Sequence, residues 1–444
     1  MQVTDKAGHM EKLSKQKLVL VGLTLFSMFF GAGNLIFPPY LGASAGVNTW
    51  IAMAGFAVTA IGFPVLGVVA VARSGGLGKL AGRVHPGFAF VFTLLIYLSI
   101  GPCLAIPRTA STSFEMAVVP FLKEEGAGAL AQLLYSAFFF SIAFAVSLKP
   151  DKLTDRLGKI LTPCLLVLIV VIFAGCMVHP AGPYGVPAKS YGSNPFVKGF
   201  LEGYLTMDTI AALNFGIIIS LNVRAMGIKQ EASVVRETIQ AGFIAGGILL
   251  LVYSALAHVG AVTGGTLGSG ENGAQTLNQA VRFLYGNAGL MMLAVIFFIA
   301  CLNTCIGLIS CCSRYFSTII PKVGYRAWAF LFALVSLIIS NIGLNKILEV
   351  SVPVLNAIYP VAIVLILLSF GFRDERKWKA VYICSISLTG IASVLLSLEQ
   401  AGLGFLNAGL SRLPLYDMGL GWIGPAMAGI AAGALIGIAG NKNP

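Results

Sequence analysis

Twelve apolar runs separated by short polar or charged stretches fill the chain from residue 18 onward: 18–41, 49–72, 87–118, 129–148, 160–178, 199–222, 239–262, 288–312, 326–344, 350–370, 379–398 and 420–440. At about 1.5 Å of rise per helical residue, each is long enough to cross the roughly 30 Å of a bilayer's hydrocarbon. Lipid offers no partner to a free N–H or C=O, so the runs are predicted to be transmembrane α-helices. Residues 1–17 form a polar N-terminal segment in which Gly8-His9-Met10 is assigned no function.

The first run is interrupted. Gly31-Ala32-Gly33-Asn34 lies between Leu18-Val19-Leu20-Val21 and Leu35-Ile36-Phe37, and Pro38-Pro39 follows. Each glycine costs a helix interior about 1 kcal/mol against alanine. The prolines are best tolerated near the first turn of a new helix, where an N–H is spare. The stretch therefore predicts two half-helices meeting at mid-membrane. The N-terminal end of the second, with the Asn34 side chain and free amides, suits a carboxylate, and the freed carbonyls of the first suit a cation. Two simpler readings compete. One is a glycine packing kink, and the other is a signal peptide with Lys12, Lys15 and Lys17 ahead of an apolar Leu18 to Phe30 core. The proline pair and Asn34 weigh against the first, and the immediate return of apolar sequence weighs against the second.

Composition agrees with a membrane protein. Of 444 residues 57% are hydrophobic and 10% charged, against about a quarter charged in soluble domains. The net charge of +12 does not point to nucleic acid, because its distribution follows the membrane. Positions 6, 12, 15, 17, 73, 79, 83, 149, 152, 156, 159, 224, 229, 236, 314, 322, 326, 373, 376, 377, 379 and 442 put 22 Lys and Arg on one side. Lys123, Lys189, Lys198, Arg282, Lys346 and Arg412 lie on the other, leaving Arg108 within a run. The positive-inside rule then places both termini of this multi-pass chain in the cytoplasm.

If helices one to five (18–178) and six to ten (199–370) are two repeats, an odd number of helices in each forces opposite orientations, with 379–444 outside the repeat. The sixth run is then the partner of the first. It contains Glu202, Gly203, Tyr204, Thr206, Asp208, Thr209, Ala212 and Asn214 at membrane depth. An ionised Asp at a helix centre costs on the order of 3 kcal/mol by insertion scales, so Asp208 is expected to face a cavity and hold a partner, or else to cap a broken helix end. Glu202 is expected to be solvated near the outer interface. The third and eighth runs pair likewise, with Arg108, Thr109 and Ser111 to Ser113 on one and Asn303-Thr304-Cys305 on the other. Arg108 has three open roles: countering Asp208, countering Glu115, or reaching outward.

The segment Thr263 to Arg282, with its glycines, reads as a lid with hinges or as a plain connector. Gly429, Gly433 and Gly437 form a stripe suited to close helix packing and to an oligomer contact. The eight cysteines and four histidines have no metal-ligand spacing, no Walker motif is present, and no cofactor is called for. Gly42-Ala43-Ser44-Ala45-Gly46 matches a nucleophile elbow only formally, since that motif needs a strand-turn-helix setting. An ion-coupled transporter and a channel remain as the two classes, and uphill saturable uptake separates them.

Phe29 to Pro39 resembles the bacterial branched-chain amino acid:cation symporters. The similarity extends through Gly101-Pro102 to Pro107-Arg108-Thr109-Ala110, Tyr204 to Asp208, and Ser351 to Pro360. The resemblance implies a leucine-transporter fold, an all-α 5+5 inverted repeat with helices one and six broken. It also implies uptake of leucine, isoleucine and valine with Na⁺ or H⁺. The family's eighth helix commonly carries two threonines where this chain has Asn303-Thr304. Substrate contacts are accordingly expected at Gly31, Ala32, Gly33, Asn34, Asp208, Thr209 and Ala212. Ion contacts are expected at Phe30, Gly31, Thr304 and Cys305, with Na⁺ at Gly31 and Thr304 as one possibility. Partners are the small substrate and membrane lipid, with an oligomer left open.

Overall fold

A computed structural model describes residues 12–122, 128–148, 150–374, 377–403 and 407–440, the side chains of 150–162, 408 and 440 excepted. Residues 1–11 of the N-terminal segment, the basic positions Lys123, Lys149, Arg376 and Lys442, and the side chains of Lys152, Arg156 and Lys159 lie outside that description.

All twelve apolar runs are helical. The first is split into α1 (Lys15–Phe29) and α2 (Ala32–Ala45), and the second into α3 (Thr49–Ala57) and α4 (Phe63–Ser74) around a π-turn at Val58–Gly62. A short α5 (Leu77–Gly82) leads to α6 (Pro86–Leu98) and α7 (Ala105–Ala117), which flank a second π-turn. That turn, Ser99–Cys103, is opened by the non-helical Gly101 ahead of Pro102. Then come α8 (Gly128–Ser147), α9 (Pro150–Val178), α10 (Lys189–Gly192), α11 (Pro195–Glu202) and α12 (Asp208–Ala225). The chain continues through α13 (Glu231–Leu267), α14 (Gly273–Ile319), α15 (Tyr325–Ser340), α16 (Leu344–Gly371), α17 (Lys379–Gln400), α18 (Asn407–Leu410) and α19 (Ile423–Gly440).

Among the described residues, seven helical stretches are long and apolar enough to cross a membrane, and the bent pair Pro195–Thr206 and Asp208–Ala225 makes an eighth. Pro163–Val178, Tyr325–Ser340 and Ile423–Ala439 are shorter apolar helices, a count compatible with twelve spans. Large side chains such as Val19, Leu134, Phe243 and Leu251 are exposed, as lipid-facing positions are when no water drives their burial.

The core is built on glycines that bring backbones into direct contact. A Cβ on Gly42 would lie 1.9 Å from the Ala257 oxygen, one on Gly260 1.9 Å from the Pro39 oxygen, and one on Gly273 1.9 Å from the Ile36 oxygen. Thus α2 is pressed onto α13 and onto the start of α14. The same contact joins α3 to α11, where a Cβ on Gly199 would lie 1.9 Å from the Ala52 oxygen.

Two expectations are corrected here. The segment 263–282 is largely helix: α13 runs to Leu267, five residues turn, and Asn272 caps α14 by accepting from the Gln275 N–H at 3.0 Å. The backbone breaks later, at Gly286 with φ 60°. Glu202 is ion-paired with Lys198 at 2.6 Å rather than merely solvated. The stripe Gly429, Gly433 and Gly437 is covered by the same chain, where a Cβ on each would lie 2.5 and 2.4 Å from Ser385 and Val381 atoms of α17 and 3.0 Å from the Lys377 oxygen just before it. The close helix packing read from the stripe is thus made within one chain. Among the described residues no strand stands beside Ser44, which lies within α2, so the strand-turn-helix setting of a nucleophile elbow is missing there.

Candidate functional site between two broken helices

The first break is narrow. Phe30 leaves helical values at φ −77° and ψ 88°, and Gly31 is extended at φ −115° and ψ −170° before α2 begins. The Asn34 side chain closes it, because its Oδ1 accepts the Gly31 N–H at 3.1 Å. Pro38 and Pro39 lie in the second turn of α2 and not in the first as expected, so each removes an N–H from the helical ladder and leaves a carbonyl one turn earlier without that partner.

The second break is wider. After α11 a 3₁₀ turn, Gly203–Thr206, is followed by Met207 in the left-handed region at φ 65°, and the two halves bend by 50°. Such a conformation costs a non-glycine residue roughly 1–2 kcal/mol, so neighbouring groups must hold it. Thr59, in the π-turn of the second helix, bonds both halves. Its hydroxyl donates to the Phe200 oxygen of α11 at 2.7 Å, and its carbonyl, displaced from the regular ladder, accepts the Thr209 hydroxyl of α12 at 2.9 Å.

One hydrogen bond joins the two breaks: Asn34 Nδ2 donates to Asp208 Oδ2 at 2.6 Å. Tyr253 of α13 completes the triangle, accepting from Asn34 and donating to Asp208 Oδ2 at 3.3 Å. Asn34, Asp208 and Tyr253 are 2%, 3% and 0% exposed. An isolated carboxylate at that depth costs far more than a solvated one, and hydrogen bonding is what retains it there.

On the far side of the first break, a Cβ placed on Gly31 would lie 3.5 Å from both Cγ2 and Oγ1 of Thr304. The Thr304 hydroxyl donates to the Ala300 oxygen at 3.1 Å, which leaves its lone pairs free for another contact. The Asn303 side-chain oxygen next to it in sequence is buried without a hydrogen-bond partner. Arg108 is 5% exposed and turns inward, donating to the Leu205 oxygen at 2.6 Å with its guanidinium 5.4 Å from the Phe37 ring centre. It reaches the second break without an ion pair to Asp208 or Glu115.

The structure therefore gathers Phe30, Gly31, Ala32, Gly33, Asn34, Asp208 and Thr304 about the two breaks. Three residues expected with them lie elsewhere. Thr209 is spent on Thr59, and Ala212 packs at the second helix, where a Cβ on Gly67 would lie 3.2 Å from its methyl. Cys305 is fully buried beside Thr109 of α7, and sulfur is a poor ligand for a hard cation. Tyr253 and Thr59 carried no signal in the sequence beyond being polar groups inside apolar runs.

Residues 14–439 match the profile of a family described as branched-chain amino acid transport protein. The chain belongs to that family. Among its relatives is a branched-chain amino acid permease, BraB, of Bacillus subtilis, 41% identical over 425 residues that cover 94% of this chain and 95% of that one. Another is the branched-chain amino acid transport system 2 carrier protein of Pseudomonas aeruginosa, 41% identical with coverage of 92% and 93%. In fold the chain is similar to the nucleobase-cation-symport-1 family transporter Mhp1. The inward-facing form of Mhp1 gives a TM-score of 0.61 at 11% identity, covering 99% and 96% of the two chains. The closed form, with bromovinylhydantoin bound, gives 0.59 at 13%. This branched-chain amino acid transport family consists of membrane transport proteins, not enzymes, and the described residues of this chain, helical with two broken helices and no strand, have the leucine-transporter fold.

Proposed function

We propose that the chain carries leucine, isoleucine and valine into a bacterial cell together with Na⁺ or H⁺, by alternating access around the two breaks. The bond from Asn34 to Asp208 supports this reading most directly, because it brings two helix interruptions 174 residues apart into one site. In this reading residues 18–178 and 199–370 are the inverted repeats, 379–444 lies outside them, and both termini are cytoplasmic. The backbone of Gly31 to Gly33 and the Asp208 carboxylate bind the polar end of the substrate. The carbonyls of Phe30 and Gly31 with the Thr304 hydroxyl bind the ion, in keeping with the preference of Na⁺ for oxygen.

Uptake of labelled leucine into proteoliposomes, with Na⁺ and pH gradients imposed separately, tests the function. Saturable accumulation against a gradient, competed by isoleucine and valine, is expected. Flux that neither saturates nor runs uphill would replace the carrier by a pore. Single cysteines at Lys189 and Lys322 test topology, with only the first expected to react with an impermeant reagent from outside.

A further inference from the structure

Among the described residues Arg108 is the one arginine that is fully buried, and its only hydrogen-bond partner is a neutral carbonyl, that of Leu205. A guanidinium has five donors and is costly to bury; Asp208 is near enough to act on its charge but forms no ion pair with it. Its fork stands against the first turn of α2, where a Cβ on Gly33 would lie 2.9 Å from a terminal nitrogen, so the bare glycine makes its room. The Asn34 amide, the side chain expected to receive a carboxylate, is already engaged: its oxygen by the Gly31 N–H and its nitrogen by Asp208 and Tyr253.

We propose that Arg108 receives the substrate's carboxylate, with Asp208 taking its ammonium. The proposal rests on the substrate lying between the two breaks, as inferred above. The cation and the anion of the site are held by separate partners, Leu205 and Phe37 on one side and Asn34 and Tyr253 on the other. A zwitterion spanning the gap pairs both charges at once. It also competes with the Leu205 oxygen for Arg108, and so links occupancy of the site to the 3₁₀ turn that joins the halves of helix six.

The test uses the full-length chain in detergent with three ligands competing against labelled leucine: leucine itself, leucine amide, which lacks the carboxylate, and 4-methylpentanoate, which lacks the ammonium. Wild type is expected to prefer leucine over leucine amide by about 100-fold, the worth of a charge-assisted, two-pronged contact. In Arg108→Met leucine binding weakens by about that factor while leucine amide stays within about threefold, so the preference collapses. Asp208→Asn does the mirror image, sparing 4-methylpentanoate. Arg108→Lys keeps the charge and loses the fork, giving an intermediate preference even where the Met variant does not insert. The proposal is overturned if the Arg108 variants weaken leucine and leucine amide equally, or leave the preference intact. Failure of wild type to bind leucine at all would instead overturn the functional reading.

Discussion

Helix one and helix six are broken at the same site by different means. Helix one closes its own gap: two residues leave the helix, neither with a positive φ, and Asn34 caps the end from within the same segment. Helix six needs its neighbours, since the left-handed Met207 and the 50° bend are held by Thr59 from the second helix and Arg108 from the third. A self-capped break behaves as a fixed reference. A break held by side chains from other helices changes shape when those side chains find other partners, which makes helix six the responsive member of the pair.

The contact between the two breaks is the point most sensitive to change. Asp208→Asn is expected to lower uptake by at least about 100-fold while the protein still inserts, because the carboxylate serves Asn34, Tyr253 and the substrate together. Uptake at the wild-type rate, with insertion confirmed by surface labelling, would reduce the acid to a helix cap. On the helix-one side, Thr304→Val keeps shape and removes one oxygen of about five. A Na⁺-coupled carrier should then need about ten- to hundredfold more Na⁺ for half-maximal uptake, with serine largely restoring it. An unchanged Na⁺ dependence would remove Thr304 from the ion site.

The dependence of helix six on its neighbours can be measured apart from transport. Thr59→Val removes a donor to α11, and a buried acceptor left unmatched costs about 1–3 kcal/mol, so the thermal midpoint in detergent is expected to fall by several degrees. At the other break, Gly31→Ala should shift stability by less than about 0.5 kcal/mol. Its φ of −115° is open to any residue, and the added methyl meets Thr304 only at an ordinary contact distance of 3.5 Å. If Gly31→Ala proves the more damaging of the two, the contrast between the breaks is lost.

What the sequence could show of this site followed the same divide. The break in helix one is written locally, in two glycines, an asparagine and two prolines within nine residues, and Asp208 stands out as an acid in an apolar run. The groups that hold helix six come from other helices, and a lone Tyr253 or Thr59 in an apolar run has no periodicity to mark it. The π-turn at Val58–Gly62 leaves no sequence pattern either, yet it supplies the carbonyl that takes the Thr209 hydroxyl. Thr209 follows Asp208 directly and so points about 100° away from it, onto Thr59, whereas Ala212, four residues on, lies nearer the Asp208 face but packs its methyl against Gly67 of the second helix. The 263–282 stretch reads as a loop by its polar, glycine-rich composition. Asn272 followed three residues later by Gln275 is a helix-start signal that outweighs this composition.

The glycine contacts between α2 and α13 carry a mechanical consequence. With the backbones of Gly42 and Ala257, and of Gly260 and Pro39, in direct contact, no layer of side chains lies between the two helices to deform or slip. The pair is a joint without slack. Any tilt of α2 is shared with α13, and Tyr253 of α13 carries it to the Asp208 carboxylate, so that the capped half of helix one and the group that bonds the acid of helix six move as one lever.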